Sequence, residues 1–212
     1  MGTIKQGVLG GFSGKVGTVV GASWKGTAYM RGIATHTKNP RTPKQIEQRT
    51  KMEFARNFLQ QAAEFINIGF KDVAKRQSPL NYAASQMMRN AIYGDYPDYS
   101  PIYSKLKWSH GLLTPPVVET VYANYDALDF LWVDNSGQGN AKADDISMVV
   151  VCSEEKQEIK YFMNGYTRSS NSTHCELPES WVDDHVHVYI TMRSADGKLI
   201  SNSHYCGEFI LE

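Results

Sequence analysis

Hydrophobic positions change their spacing twice along the chain. Up to residue 38, single apolar residues such as Phe12, Val16, Val19, Val20, Trp24, Tyr29 and Met30 are interrupted by glycine. β-Branched and aromatic residues broken in this way predict short extended segments with tight turns. Strands are expected at 16–23 and 27–33, with Trp24-Lys25-Gly26 turning between them. A lone hairpin is marginal in water. The glycine-rich arm, 1–38, is therefore expected to pack on the rest of the chain or on another chain.

From 39 to 95 the spacing is helical. Thr42, Pro43 and Gln45 form a cap, a first-turn proline and a T-x-x-Q capping box. Ile46, Phe54, Phe58, Ala62, Phe65 and Ile66 then recur at three- and four-residue steps, and Gly69 is a stop. A second helix opens at Ser78-Pro79 and carries Leu80, Ala83, Ala84, Met87, Met88, Ala91 and Ile92 to Gly94. Two helices with a short connection predict a helical hairpin whose Phe/Met stripe is core. Residues 96–116 are rich in Tyr and Pro and read as an extended bridge, with a strand expected at 104–109.

From 117 onward the period is two. Strands are expected at 117–123, 128–133, 146–152, 159–166, 174–177, 185–192 and 199–206, with 208–211 continuing the last. Leu128, Phe130 and Trp132 share one direction, and so do Val186, Val188, Ile190 and Met192. Asn135-Ser136-Gly137, Asn164-Gly165, Asn171-Ser172 and Asp196-Gly197 supply turns. Seven short strands predict a β-sandwich with Greek-key connections. The segment resembles a fibronectin type III domain, with Trp132 as its core tryptophan, Leu177 and Tyr189 beside its sixth strand, and Ser201-Asn202-Ser203 in its last hairpin. The expected class is α+β: a β arm, a helical hairpin (39–95), the bridge (96–116) and an immunoglobulin/fibronectin III-like sandwich (117–212).

Formal net charge is zero, but its distribution is not even. Residues 1–60 hold ten Lys/Arg and two Asp/Glu, whereas residues 108–212 hold six and sixteen. Such a split fits a polyanion partner, docking of one subunit's front on another's back, or a solvated surface. No apolar stretch is long enough for a membrane span, and no secretory signal is visible at the start. A cytoplasmic origin is expected, with a place in a virion or other assembly open. Three cysteines, Cys152, Cys175 and Cys206, are read as small buried thiols rather than a disulfide framework.

Motifs for chemistry are sparse. Gly14-Lys15 is not a phosphate loop, because Leu9 and Val16 stand where that motif needs Gly and Ser/Thr. Gly14-Lys15-Val16-Gly17 lacks the preceding helix of a KH clamp. G-x-S-x-G is absent. His174, His185, His187 and His204 lie near Cys175, Cys206, Asp183 and Asp184 without metal-ligand spacing, and are read as exposed strand histidines. Asp144-Asp145 and Glu154-Glu155 read as solvated turn acids, and Asn171-Ser172-Thr173 as a turn. No cofactor, metal site or catalytic residue is expected.

Gly14-Lys15-Val16-Gly17-Thr18-Val19-Val20-Gly21, Trp24-Lys25-Gly26, Arg31 and Asn39-Pro40-Arg41-Thr42-Pro43-x-Gln45-x-x-x-Arg49 together resemble an uncharacterised protein family of Bacteroidota. The likeness extends through Leu128-Asp129-Phe130-x-Trp132 to Ser201-Asn202-Ser203-x-Tyr205-x-Gly207. The Asn-Pro-Arg-Thr-Pro segment also resembles one common in phage and prophage proteins. Neither resemblance implies catalytic residues. The expected role is a non-enzymatic assembly protein that meets a copy of itself or a partner protein through Phe12, Lys15, Trp24, Arg31 and Arg41. One alternative is polyanion or nucleic-acid binding by Lys15, Lys25, Arg31, Lys38, Arg41, Lys44 and Arg49, with Trp24 or Tyr29 stacking. Another is a carbohydrate- or surface-binding module that uses exposed tyrosines.

Overall fold

The computed structural model describes residues 2–4, 7, 10–34, 41–75 and 77–211. The chain is α+β, with three helices and antiparallel strands in several sheets among these residues. It divides into two compact units, Met1–Thr42 and Pro43–Glu212.

The first unit is a sheet in chain order, β1 (Thr3–Ile4), β2 (Phe12–Val16), β3 (Val19–Trp24) and β4 (Thr27–Gly32). The single strand expected at 16–23 is instead divided by a turn. Gly17, at φ 56°, bends the chain so that Val16 pairs with Val19. Lys25 and Gly26 both take positive φ, as the central pair of a type I′ hairpin requires, and Trp24 pairs with Thr27 across them.

The second unit begins with α1 (Pro43–Gln60), α2 (Ala63–Gly69) and α3 (Pro79–Asn90). The helix expected to run on to Gly69 breaks at Gln61-Ala62, where Ala62 leaves helical geometry. The Gln61 side chain donates to the Gln157 carbonyl at 3.0 Å and accepts from the Ile159 amide at 3.1 Å. Ser78 caps α3 by accepting from the Asn81 amide at 3.3 Å. That helix stops at Asn90, before Gly94, because the chain extends to pair β5 (Ile92–Tyr93) with β6 (Ser100–Pro101).

No strand forms at 104–109. Tyr103–Lys105 makes a 3₁₀ turn, after which Leu106 and Trp108 sink into the core. The backbone there passes so close to Gly69 that a Cβ on Gly69 would strike the Trp108 carbonyl. The His110 amide donates to the Gly69 carbonyl at 2.9 Å, which holds the crossing in place.

Seven further strands follow: β7 (Val117–Asn124), β8 (Ala127–Val133), β9 (Ile146–Ser153), β10 (Ile159–Phe162), β11 (Ser172–Glu176), β12 (His185–Arg193) and β13 (His204–Ile210). They form a three-stranded sheet, β11-β8-β7, and a four-stranded sheet, β10-β9-β12-β13. β10 ends at Phe162 rather than 166, and β13 starts at His204 rather than 199. Before β13, the Ser201 amide donates to the Met192 carbonyl at 2.8 Å and its buried hydroxyl accepts from the Met192 amide at 2.9 Å, so a short stretch of pairing there is completed by a side chain.

Two cores meet at the four-stranded sheet. On one face, Val149, Val151, Val186, Val188, Ile190 and Met192 pack with Leu128, Phe130, Trp132 and Cys175 of the three-stranded sheet. On the other, Met148, Val150, Cys152, Ile159 and Tyr189 pack with Phe58, Phe65, Ile66 and Met87 of the helices and with Trp108. Burial on both faces explains why β9 reads as a continuous apolar run rather than an alternation. The helices and the sheets therefore share one compact unit. Tyr189 turns toward the helices, and its hydroxyl donates to the Tyr103 carbonyl at 2.6 Å. Among the described residues, no helix is long and apolar enough to cross a membrane.

Candidate functional site

Pairing register sorts the first sheet's side chains into two faces, because residues directly opposite in an antiparallel pair point the same way and alternate along each strand. Lys15, Val20 and Arg31 lie in one row across β2, β3 and β4. Ala22 and Tyr29 form the next row, and Trp24 and Thr27 the one after. This face thus carries two cations and two aromatic rings. Trp24 is 58% exposed and Tyr29 46%.

The opposite face has no charged residue. Gly14, Gly21 and Met30 share one row, and Val16, Val19 and Gly32 another. By alternation, Phe12, Ser23 and Ala28 belong to the same face. Gly21 is the one buried residue among the described residues of this unit. A Cβ there would run into the backbone of Phe12, so glycine is what lets the Phe12 backbone approach this close. Val16 and Met30 are exposed.

The residues expected at an interface are therefore divided by the sheet. Lys15, Trp24 and Arg31 share the cationic face, Phe12 lies on the apolar one, and Arg41 is exposed outside the strands. Of the expected polyanion set, Lys25 sits in the β3–β4 turn, while Lys44 and Arg49 are exposed on α1 in the other unit. Lys38 lies outside the described residues. The sequence reading missed Met30 as a partner of the apolar face and Val20 as the spacer between two cations. The register of three strands carries that information, and composition does not.

The histidines are dispersed among separate carboxylates. His174 Nδ1 lies 2.6 Å from Asp129, and His185 Nδ1 lies 2.7 Å from Glu208. His187 is buried rather than exposed: its ring stacks on Tyr103 with centroids 4.0 Å apart, Nδ1 lies 3.0 Å from the Tyr205 hydroxyl and Nε2 lies 3.3 Å from Glu154. Among the described residues, no three His, Cys, Asp or Glu side chains gather as metal ligands do. Burial pushes the Cys175 and Cys206 thiols up to about 12 and that of Cys152 well above its usual value, so all three stay protonated near neutrality.

Asp145 is not a solvated turn acid. It is fully buried and holds Arg168, itself fully buried, with Nε at 3.1 Å and a terminal nitrogen at 3.0 Å. Arg168 also donates to the side chain of Asn135 and, at 2.9 Å, to the Thr114 carbonyl. The Trp132 indole donates to the Arg168 carbonyl at 2.8 Å. This network has no open face for a ligand; it ties three loops to the core. The partners of Arg168 lie 23 to 54 residues from it, too far for a local motif.

A family model described as a family of unknown function (DUF6266) matches residues 11–207, and the chain belongs to that family. No curated protein matches it.

Proposed function

We propose that this member of a family of unknown function is a non-enzymatic assembly protein whose N-terminal sheet docks onto the acidic second unit of another copy. The observation that carries the reading is the uncharged face of the first sheet, where Val16 and Met30 stand exposed beside Phe12 and Val19. A sheet with one apolar face ordinarily buries it against a second layer. Charge favours a second copy as that layer. Residues 1–42 carry six Lys/Arg and no Asp/Glu, whereas residues 108–212 carry sixteen Asp/Glu against six Lys/Arg. Opposite potentials steer such a head-to-tail encounter, and apolar contact then holds it. The strand order β11-β8-β7 over β10-β9-β12-β13, with Trp132 between the sheets, supports reading the second unit's sheets as a fibronectin III-like module that receives the contact.

The test is absolute mass by light scattering across protein concentration at low and high salt, with negative-stain microscopy of each species. The expected result is an oligomer that loosens as salt rises. Val16→Ser and Met30→Ser, which leave charge unchanged, should each shift it toward monomer. A monomer at every concentration and salt would overturn the reading.

A further inference from the structure

We infer that the other face of the N-terminal sheet binds single-stranded nucleic acid. The face combines the two groups such a ligand needs. Lys15 and Arg31 are exposed in one row, two strands apart, so their Cα atoms stand about 10 Å from each other. Val20 lies between them, a short aliphatic side chain that leaves both cations reachable by one backbone. Tyr29 follows Arg31 two residues back along β4, about 7 Å away. Trp24 lies diagonally from Tyr29 on β3, at about 8 Å. Unstacked bases lie on open aromatic rings while neighbouring cations hold the phosphates.

Three features favour this ligand over others. Residues 1–42 contain no Asp or Glu to repel a phosphate. The rings are open, with Trp24 58% and Tyr29 46% exposed, and bases paired in a duplex would not reach them. A neutral glycan would stack on the rings but leave Lys15 and Arg31 without a role. The site is on the opposite face from the apolar contact proposed above, so it does not depend on that contact forming.

The experiment is fluorescence anisotropy of a labelled oligo-dT of about 15 nucleotides, long enough for a site of this kind, with the full chain at stepped salt. A duplex of the same length and heparin serve as competitors. The expected result is binding that weakens as salt rises, with oligo-dT preferred to the duplex. Trp24→Ala and Tyr29→Ala should each weaken it about 5- to 150-fold without changing the salt slope, and Trp24→Phe should restore most of the loss. Lys15→Ala and Arg31→Ala should each lower the slope by about 0.7. Val16→Ser and Met30→Ser should leave binding intact, which separates this site from the assembly contact. Trp108, Trp132 and Trp181 are buried, so emission quenched on binding reports Trp24 directly. Absence of binding at low salt would overturn the inference. So would equal competition by heparin and duplex together with unchanged affinity in both aromatic variants, because that is the behaviour of a diffuse basic surface.

Discussion

Two four-stranded antiparallel sheets in this protein meet opposite fates. In β10-β9-β12-β13, the central strands are buried on both faces, one against helices and the other against a second sheet. In β1-β2-β3-β4, Gly21 is buried and every other described residue keeps contact with solvent. The hydrogen-bond ladder is the same kind in both, so the ladder does not make the difference. Side chains do. β9 reads Ile-Ser-Met-Val-Val-Val-Cys-Ser, a run that has an apolar group for each face. The first sheet has glycine at three strand positions, Gly14, Gly21 and Gly32, and a cation in β2 and in β4. Apolar area removed from water stabilises at roughly 25 cal/mol per Å², so the second unit holds the fold. The first unit leaves nearly all of its described side chains in contact with solvent.

Deep truncations test that contrast most strongly. Arg168→Ala leaves Asp145 charged and unpaired in the core, and Phe65→Ala opens a cavity between helices and sheet. Each is expected to cost about 3–5 kcal/mol in urea unfolding of the second unit. Met30→Ala and Trp24→Ala should move the same transition by less than about 0.5 kcal/mol. Equal costs in the two sheets would break the comparison.

A middle-sized effect belongs to Gly21. Gly21→Ala drives a Cβ into the Phe12 backbone and is expected to cost the first sheet about 1–3 kcal/mol. In NMR spectra, amide dispersion from residues 12–32 should collapse while the Val149 and Val188 methyl signals stay put. Loss of both sets together would mean that the units unfold as one.

The smallest effect lies at the rim of the larger sheet. The hydrogen bond to Glu208 raises the His185 pKa, with burial opposing and Glu155 adding to the rise. A raised folded-state value means that the stabilisation is fully present below the unfolded value of about 6.5. It fades as pH rises through the folded value. Thermal melts of the parent and Glu208→Gln should therefore differ most on the acid side of about 6.5 and converge toward higher pH. A gap that widened with pH would contradict the pairing.

Legibility followed the range of the interaction. Ser78-Pro79 announced the start of α3 because a cap and its proline act within one turn. The turns at Asn171 and Gly197 were visible because positive φ selects residue type locally. The break at Gln61-Ala62 was hidden, since its cause is Gln157 and Ile159, almost a hundred residues away. The expected strand at 104–109 failed for a related reason. Leu106 and Trp108 have strand-like spacing, but their burial belongs to a core that the helices and the far sheet build together. Asp145 looked like a surface acid because nothing near it in sequence announces Arg168.

The candidate site shows the same division. Glycine, basic charge and aromatic residues were all present in the order of the amino acids, and on them rests the expectation that the arm, 1–38, meets a partner. The order could not say which of those residues stand together. Phe12 and Lys15 are three apart in sequence and fall on opposite faces, whereas Lys15 and Arg31 are sixteen apart and share a row. The reason is the period of a strand: one residue of register exchanges every side chain between faces. Sequence alone determined where local caps and turns fall, as at Ser78-Pro79 and Gly197, and where charge accumulates, because these depend on neighbours along the chain. The tertiary structure decided which sheet became core and which became surface, because that depends on layers contributed by distant segments.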